Sequence, residues 1–392
     1  MASKPSAEGR RIMISCGEAS GDLYAGALVT ALRALDSTVS VCGFGGARMA
    51  AAGAELVGEN RGFGVTGVVE AFSVLRKSWT MLRTLGEAAK TRRPDVFVAI
   101  DFPDFNFRLI NVMHGLGIPV VYYISPQLWA WRPGRLEQIK KHVDRMLVIF
   151  PFEEDIYRQA GVPVEFVGHP LLDVTPPAAS RDAVLRAAGL DPRDPVVALL
   201  PGSRPNELRH LLPVLVEAAR NVVAKVPAAQ WLVARAPALD DALFAPLESE
   251  RAAGLRVAVL EQATDDVLAA SDVVVTKSGT ATVQAALHGR PMVIVYQLSS
   301  LTHAMVRPFM KLKTYGMVNL VAGRTVVPEL IQRDFTPDRV AAEVVSLLTD
   351  RARADAMRRD LAEVAARFGE PGASRRAAAA VLAQADAGSA RH

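Results

Sequence analysis

Short apolar runs of strand length recur along this chain, separated by stretches of helical spacing, and the rhythm runs twice. The first series falls at 11–16, 39–44, 96–100, 120–124 and 146–149, with a helix expected over 22–35. The second falls at 196–200, 231–234, 255–259, 273–276 and 291–296. Strands alternating with helices predict parallel sheets built from crossover units. Between the two series lies DVTPPAAS at 173–180, whose paired prolines resist both helix and sheet and mark a linker. The expectation is an α/β protein of two doubly wound, Rossmann-like domains facing a cleft, at 1–172 and 181–352. The chain reads as helical from about Thr336, and residues from about 353 to 392 are expected to pack back on the first domain.

Half of the 392 residues are apolar, enough for two cores. Lys and Arg number 45 against 41 Asp and Glu, a net +4 that carries no nucleic-acid footprint. The basic residues are left to serve phosphate-bearing substrates or an anionic bilayer. Cys16 and Cys42 offer neither metal spacing nor a disulfide framework, which fits a reducing cytoplasm. The opening MASKPSAEGRR lacks the apolar core of a signal peptide. No apolar run approaches the roughly 20 residues needed to span a bilayer, so any membrane contact is expected to be peripheral.

Several strand ends carry chemistry. Gly17-Glu18-Ala19-Ser20-Gly21-Asp22 joins a strand to a helix. Its small residues admit a ligand to the backbone, while Glu18 and Asp22 suit sugar hydroxyls or acid–base work; a tight turn with an Asp cap accounts for it equally well. Asp101-Phe102-Pro103-Asp104-Phe105-Asn106 follows a wholly apolar run, at the end where α/β folds hold ligands. Asp101 is the candidate general base, and Asp104 reads as the N-cap of the next helix. The aromatics of 123–132 line either a sugar or acyl site or the core; Gly168-His169-Pro170 closes the next strand, and His169 either touches substrate or makes a structural hydrogen bond.

In the second half, Pro201-Gly202-Ser203-Arg204 turns into a helix that opens with Glu207. Gly202 admits the backbone to a ligand, Ser203 caps or donates, and Arg204 can hold phosphate through two hydrogen bonds; a capped turn with a surface Arg is the plainer alternative. Ser278-Gly279-Thr280 repeats the design ahead of Gln284. Two anion sites in one domain indicate a nucleotide diphosphate.

Val68, Phe72, Leu75, Trp79 and Leu82 recur at helical spacing, with Val69 beside them and Arg76, Lys77 and Arg83 flanking. This is either a basic amphipathic helix at an anionic bilayer or a helix packed on its sheet. Met305 to Lys313 likewise combine apolar and basic residues. Gly62, Gly64 and Gly67 match the dinucleotide fingerprint but follow a polar loop, so they read as a flexible glycine loop. There is no P-loop, H-E-x-x-H or D-x-D motif, and neither a metal nor a cofactor is called for.

Taken together, GEASGD at 17–22, DFPDFN at 101–106, SPQLWAWR at 125–132, FPFE at 150–153, GHPL at 168–171, LLPGSR at 199–204, SGTAT at 278–282 and NLVAGR at 319–324 resemble the lipid-A-disaccharide synthase family in order and across nearly the whole chain. The resemblance implies a GT-B fold and a metal-independent, inverting glycosyltransferase. UDP-2,3-diacylglucosamine would be the donor and 2,3-diacylglucosamine 1-phosphate (lipid X) the acceptor, on the cytoplasmic face of the inner membrane. It places the family's important groups on Asp101, Arg204 and Asn319, with Glu18 as a second candidate base, and implies a homodimer. Two positions depart from the family pattern. Gln284 stands where a ribose-binding Glu is common, and Thr66-Gly67 where Met-Gly often precedes the amphipathic helix. The alternatives are a UDP-sugar epimerase, a transferase to another lipid acceptor, or a non-catalytic UDP-sugar-binding protein.

Overall fold

A computed structural model describes residues 9–60, 68–126, 134–175, 179–237, 239–297 and 314–389, with the backbone alone at 68–75. The chain forms two compact units, one of residues 1–174 and 368–392, the other of residues 175–367.

The first unit holds strands β1 (Arg11–Cys16), β2 (Ser40–Gly45), β3 (Glu55–Glu59), β4 (Val96–Ile100), β5 (Val120–Tyr123), β6 (Arg145–Val148) and β7 (Val164–Phe166). They form one parallel sheet in the order β3-β2-β1-β4-β5-β6-β7. The central strand β4 is buried at every position, as an apolar run covered by helices on both faces must be. The order reverses between β1 and β4, where Cys16 lies beside Ile100. Such a switch point opens a crevice at the carboxyl ends of the strands.

The second unit repeats the plan with β8 (Val196–Leu200), β9 (Gln230–Arg235), β10 (Val257–Glu261), β11 (Val273–Lys277), β12 (Met292–Tyr296) and β13 (Glu329–Ile331). Their order is β10-β9-β8-β11-β12-β13, and the switch point falls between β8 and β11. Strands β3 and β13 were not expected from the sequence, and β7 was expected only as a strand without stated bounds, closed by Gly168-His169-Pro170. All three are sheet edges of three to five residues, mostly half-buried, and so lack the apolar run that marks a central strand.

The return to the first unit begins at Phe368, later than the 353 expected. The helix Arg351–Ala366 stays with the second unit, where it buries Ala354, Met357, Leu361 and Val364. The last helix, Ala373–Ser389, buries Ala377, Ala378, Val381 and Ala385. It lies against the helix Ala19–Leu35, which extends three residues further toward its start than expected. Small side chains permit that close approach. The Asp173 carboxylate accepts from the Gly372 and Ser374 amides at 2.5 and 2.7 Å, capping the helix start, and Arg10 pairs with Asp386 near its end.

Candidate active site

At the β1/β4 switch point two turns are locked together. Asp101 and Phe102 both adopt left-handed backbone, with φ of 44° and 50°. Each such residue costs about 1–3 kcal/mol unless its surroundings hold it. The Asp101 carbonyl accepts from Asn106 Nδ2 and from the Tyr122 hydroxyl, both at 2.8 Å, and the Asp101 amide donates to the Tyr123 carbonyl at 3.2 Å. Asn106 is fully buried; its Oδ1 accepts from Ser15 Oγ at 2.7 Å, tying the end of β4 to β1. The Phe102 ring packs with Phe44 and Phe105 and occupies the place a Cβ on Gly17 would need, 2.1 Å from its nearest ring atom. Gly17 therefore has to be glycine. Glu18 and Asp101 emerge from adjacent strand ends, and both side chains are half-buried.

Two neighbouring acids are structural. Asp22 is buried and accepts from the Gly46, Arg48 and Met49 amides at 2.8, 3.0 and 3.1 Å, so it caps the next helical turn. Asp104 lies inside the helix Pro103–Gly115 and pairs with Arg135 at 2.8 Å, while Phe102 takes the N-cap position. The expected Asp104 cap is thereby corrected: proline at the first helical position shifts the boundary back by two residues.

At the β8/β11 switch point Gly202 has φ of 124°, and a Cβ there would sit 2.3 Å from Glu207 Oε2. Glu207 accepts from the Ser203 amide at 3.1 Å and from Lys277 Nζ at 2.9 Å, and its Oε1 lies 3.9 Å from Arg204 Nη1. Arg204 is the N-cap of the helix Pro205–Val223. Gly279, at φ 151° and ψ −160°, is the N-cap of the helix Thr280–Leu287. That backbone region is open essentially to glycine alone. The Thr282 amide and hydroxyl both turn back to the Gly279 carbonyl, leaving the first amides of the helix to face an anion. Ser278 Oγ donates to the Tyr315 carbonyl at 3.2 Å. Gln284 Nε2 lies 3.5 Å from Asp265 Oδ1, which also meets His288 Nε2 at 3.0 Å. Among the described residues no three metal-ligating side chains cluster.

Asn319, expected among the catalytic groups, is engaged by the backbone and a carboxylate of its own unit. It is 1% exposed, and its carboxamide is saturated. Nδ2 donates to the Val327 carbonyl and Glu329 Oε1 at 2.9 and 2.6 Å, and Oδ1 accepts from the Val326 and Val327 amides at 2.7 and 3.0 Å. Two donors and two acceptor sites are the whole capacity of an amide side chain. Glu329, which the sequence reading missed, also takes the Tyr315 and Gly316 amides. Asn319 thus holds the loop that receives Ser278. Asn319→Ala strips partners from several buried groups and is expected to cost on the order of 3 kcal/mol, measured by chemical denaturation.

His169 is likewise structural. It is buried among Tyr24, Phe150 and Phe368, and its Nδ1 accepts from the Leu171 amide at 3.2 Å. Burial pushes its pKa down to about 3 from the usual 6.5. The unfolded chain takes up this proton near 6.5 while the folded chain refuses it, so stability falls as pH drops from 6.5 toward 3. The slope is about 1.4 kcal/mol per unit. Denaturation of wild type and His169→Phe across that range should show a shallower decline in the variant.

The helix Val68–Arg92 is longer than its amphipathic stretch. The side chains of Val68, Val69, Phe72 and Leu75 lie outside the described residues, as do Gly62 to Gly67, Trp129, Trp131 and Met305 to Lys313. Arg76 and Lys77 are exposed, and Trp79 is 61% exposed with the Arg108 guanidinium 5.5 Å over its ring. Among the described residues no helix is long and apolar enough to cross a membrane.

Two doubly wound units, each with its candidate groups at a switch point, define a protein of the GT-B class. The same fold occurs in the glycotransferase of kitacinnamycin, with TM-score 0.63 and 21% identity over 97% of this chain and 100% of that one. It occurs again in a putative UDP-N-acetylglucosamine 2-epimerase from Listeria monocytogenes, with TM-score 0.69 and 14% identity over 95% of this chain and 96% of that one. At such identities the likeness concerns the fold. The family is more particular: a model of lipid-A-disaccharide synthetase matches residues 12–383. The lipid-A-disaccharide synthase of Myxococcus xanthus is 44% identical over 373 residues, 95% of this chain and 97% of that one. The chain belongs to the lipid-A-disaccharide synthetase family.

Proposed function

We propose that this glycosyltransferase moves 2,3-diacylglucosamine from its UDP donor to the 6-hydroxyl of lipid X, with Asp101 as general base and Arg204 at the departing diphosphate. Asp101 takes the hydroxyl proton. The freed oxygen attacks the anomeric carbon on the face opposite the leaving group, and the bond to the β-phosphate oxygen breaks. UDP departs with the electron pair, and the sugar carbon is inverted to a β-1,6 linkage. Arg204 and the opening amides of the helix Thr280–Leu287 meet the charge on UDP, so the reading needs no metal ion. Glu18, one strand away from Asp101, is the alternative base. The single observation that carries the reading is the left-handed Asp101–Phe102 pair, clamped by Asn106 and Tyr122 at a switch point.

Lipid substrates bring the protein to the cytoplasmic face of the inner membrane as a peripheral homodimer in the same reading. Exposed Trp79 with Arg76, Lys77 and Arg108 supports that contact, since an indole and basic side chains suit an anionic interface.

Donor incubated with and without lipid X tests the reaction class. UDP release and disaccharide that both require lipid X support transfer. Isomerised donor in its absence supports an epimerase, and no turnover at all supports a binding protein.

A further inference from the structure

The structure assigns a donor-binding role to Lys277, a residue for which the sequence reading found no task. The assignment rests on the proposed donor site and deepens it. Lys277 ends β11 at the switch point, directly before the Ser278-Gly279-Thr280 turn. Its ammonium lies 2.9 Å from Glu207 Oε1 and 5.6 Å from the Tyr296 ring centroid. The position a Cβ on Gly279 would occupy is 4.0 Å from Lys277 Nζ. The ammonium thus sits between the turn after β8 and the helix start after β11, the two anion sites expected from the sequence.

Charge decides what it does there. Among the described residues, Glu207 places a carboxylate inside a site meant for a diphosphate, with Arg204 as the other cation it faces. Arg204 and Glu207 alone cancel. With Lys277 the cluster is net positive, and an incoming diphosphate meets two cations and one anion. An ammonium carries three donor hydrogens, and Glu207 engages one of them. The remaining donors lie beside the opening amides of the helix Thr280–Leu287 and can turn to a phosphate oxygen without breaking the Glu207 pair. Glu207 holds the flexible stem in place, and the Tyr296 ring stacks beneath the ammonium.

The test compares UDP with uridine, which lacks the diphosphate, by calorimetric titration of the full chain. Lys277→Met should weaken UDP binding about tenfold, or 1.4 kcal/mol, and leave uridine binding unchanged. Unchanged uridine binding also reports that the unit is folded. Lys277→Arg should keep most of the UDP affinity. A merely structural ion pair gives a different result, because Lys277→Met would then act only by leaving Glu207 without its partner. In the Glu207→Gln background Lys277→Met must still cost UDP affinity about tenfold. Full UDP affinity in that double variant, or in Lys277→Met alone, overturns the assignment while leaving the donor site standing. A wild-type protein that binds neither UDP nor uridine overturns both.

Discussion

Asp101→Asn should lower kcat for disaccharide formation by about 10²- to 10⁴-fold, the usual contribution of a positioned general base, with the melting temperature close to wild type. The substitution acts on the carboxylate. Three ties on residue 101 run through its backbone: the carbonyl to Asn106 and Tyr122, and the amide to the Tyr123 carbonyl. Asparagine keeps all three and is among the few residues that tolerate a φ of 44°. It keeps the shape of the carboxylate and loses its charge and its ability to take a proton. Asp101→Ala is the poorer probe, because it also removes a side chain suited to the left-handed turn. Steady-state rates with both lipid substrates, alongside thermal melts, check the expectation. A folded Asp101→Asn protein that turns over near the wild-type rate moves the base to Glu18.

Arg204→Ala should lower kcat/KM by about 10²- to 10³-fold, as loss of a transition-state donor does elsewhere. KM for the donor should rise as well, because the guanidinium meets the diphosphate in the ground state and the growing charge on UDP in the transition state. Arg204→Lys should fall in between, keeping the charge and losing the two-pronged geometry. Removing Arg204 also leaves Glu207 paired with Lys277 at 2.9 Å, so the ammonium remains to hold some donor. Kinetics over a range of donor concentrations separate the two parameters. Unchanged kcat and KM would remove Arg204 from the site.

The central strands were legible because a strand buried on both faces must be apolar throughout, as Val96–Ile100 and Val196–Leu200 are. The edges Glu55–Glu59 and Glu329–Ile331 were not, since a half-covered strand can be polar. The turns that carry the candidate groups were legible for a related reason. A glycine or carboxylate directly after an apolar run sits at a strand's carboxyl end, where these folds bind ligands. What each side chain does there depends on partners far away in the sequence. The hold of Asn319 on Val327 and Glu329 could not be read from its own neighbours in the sequence. Asp22 looked available until the amides of 46–49 claimed it. Lys277 had no visible task until Glu207 from another turn came to 2.9 Å. The only local sign of Lys277 was a cation ending an otherwise buried strand.

One displacement at one carbon is the core of this account, and the configuration of the product tests it most directly. Single-turnover reaction of the purified protein with an α-linked UDP-2,3-diacylglucosamine and lipid X, followed by NMR of the new glycosidic carbon, should show a β linkage to the acceptor 6-oxygen. Formation of this product should fall with Asp101→Asn and Arg204→Ala alike. A linkage that keeps the donor's α configuration, or a sugar left covalently on the protein, would contradict it.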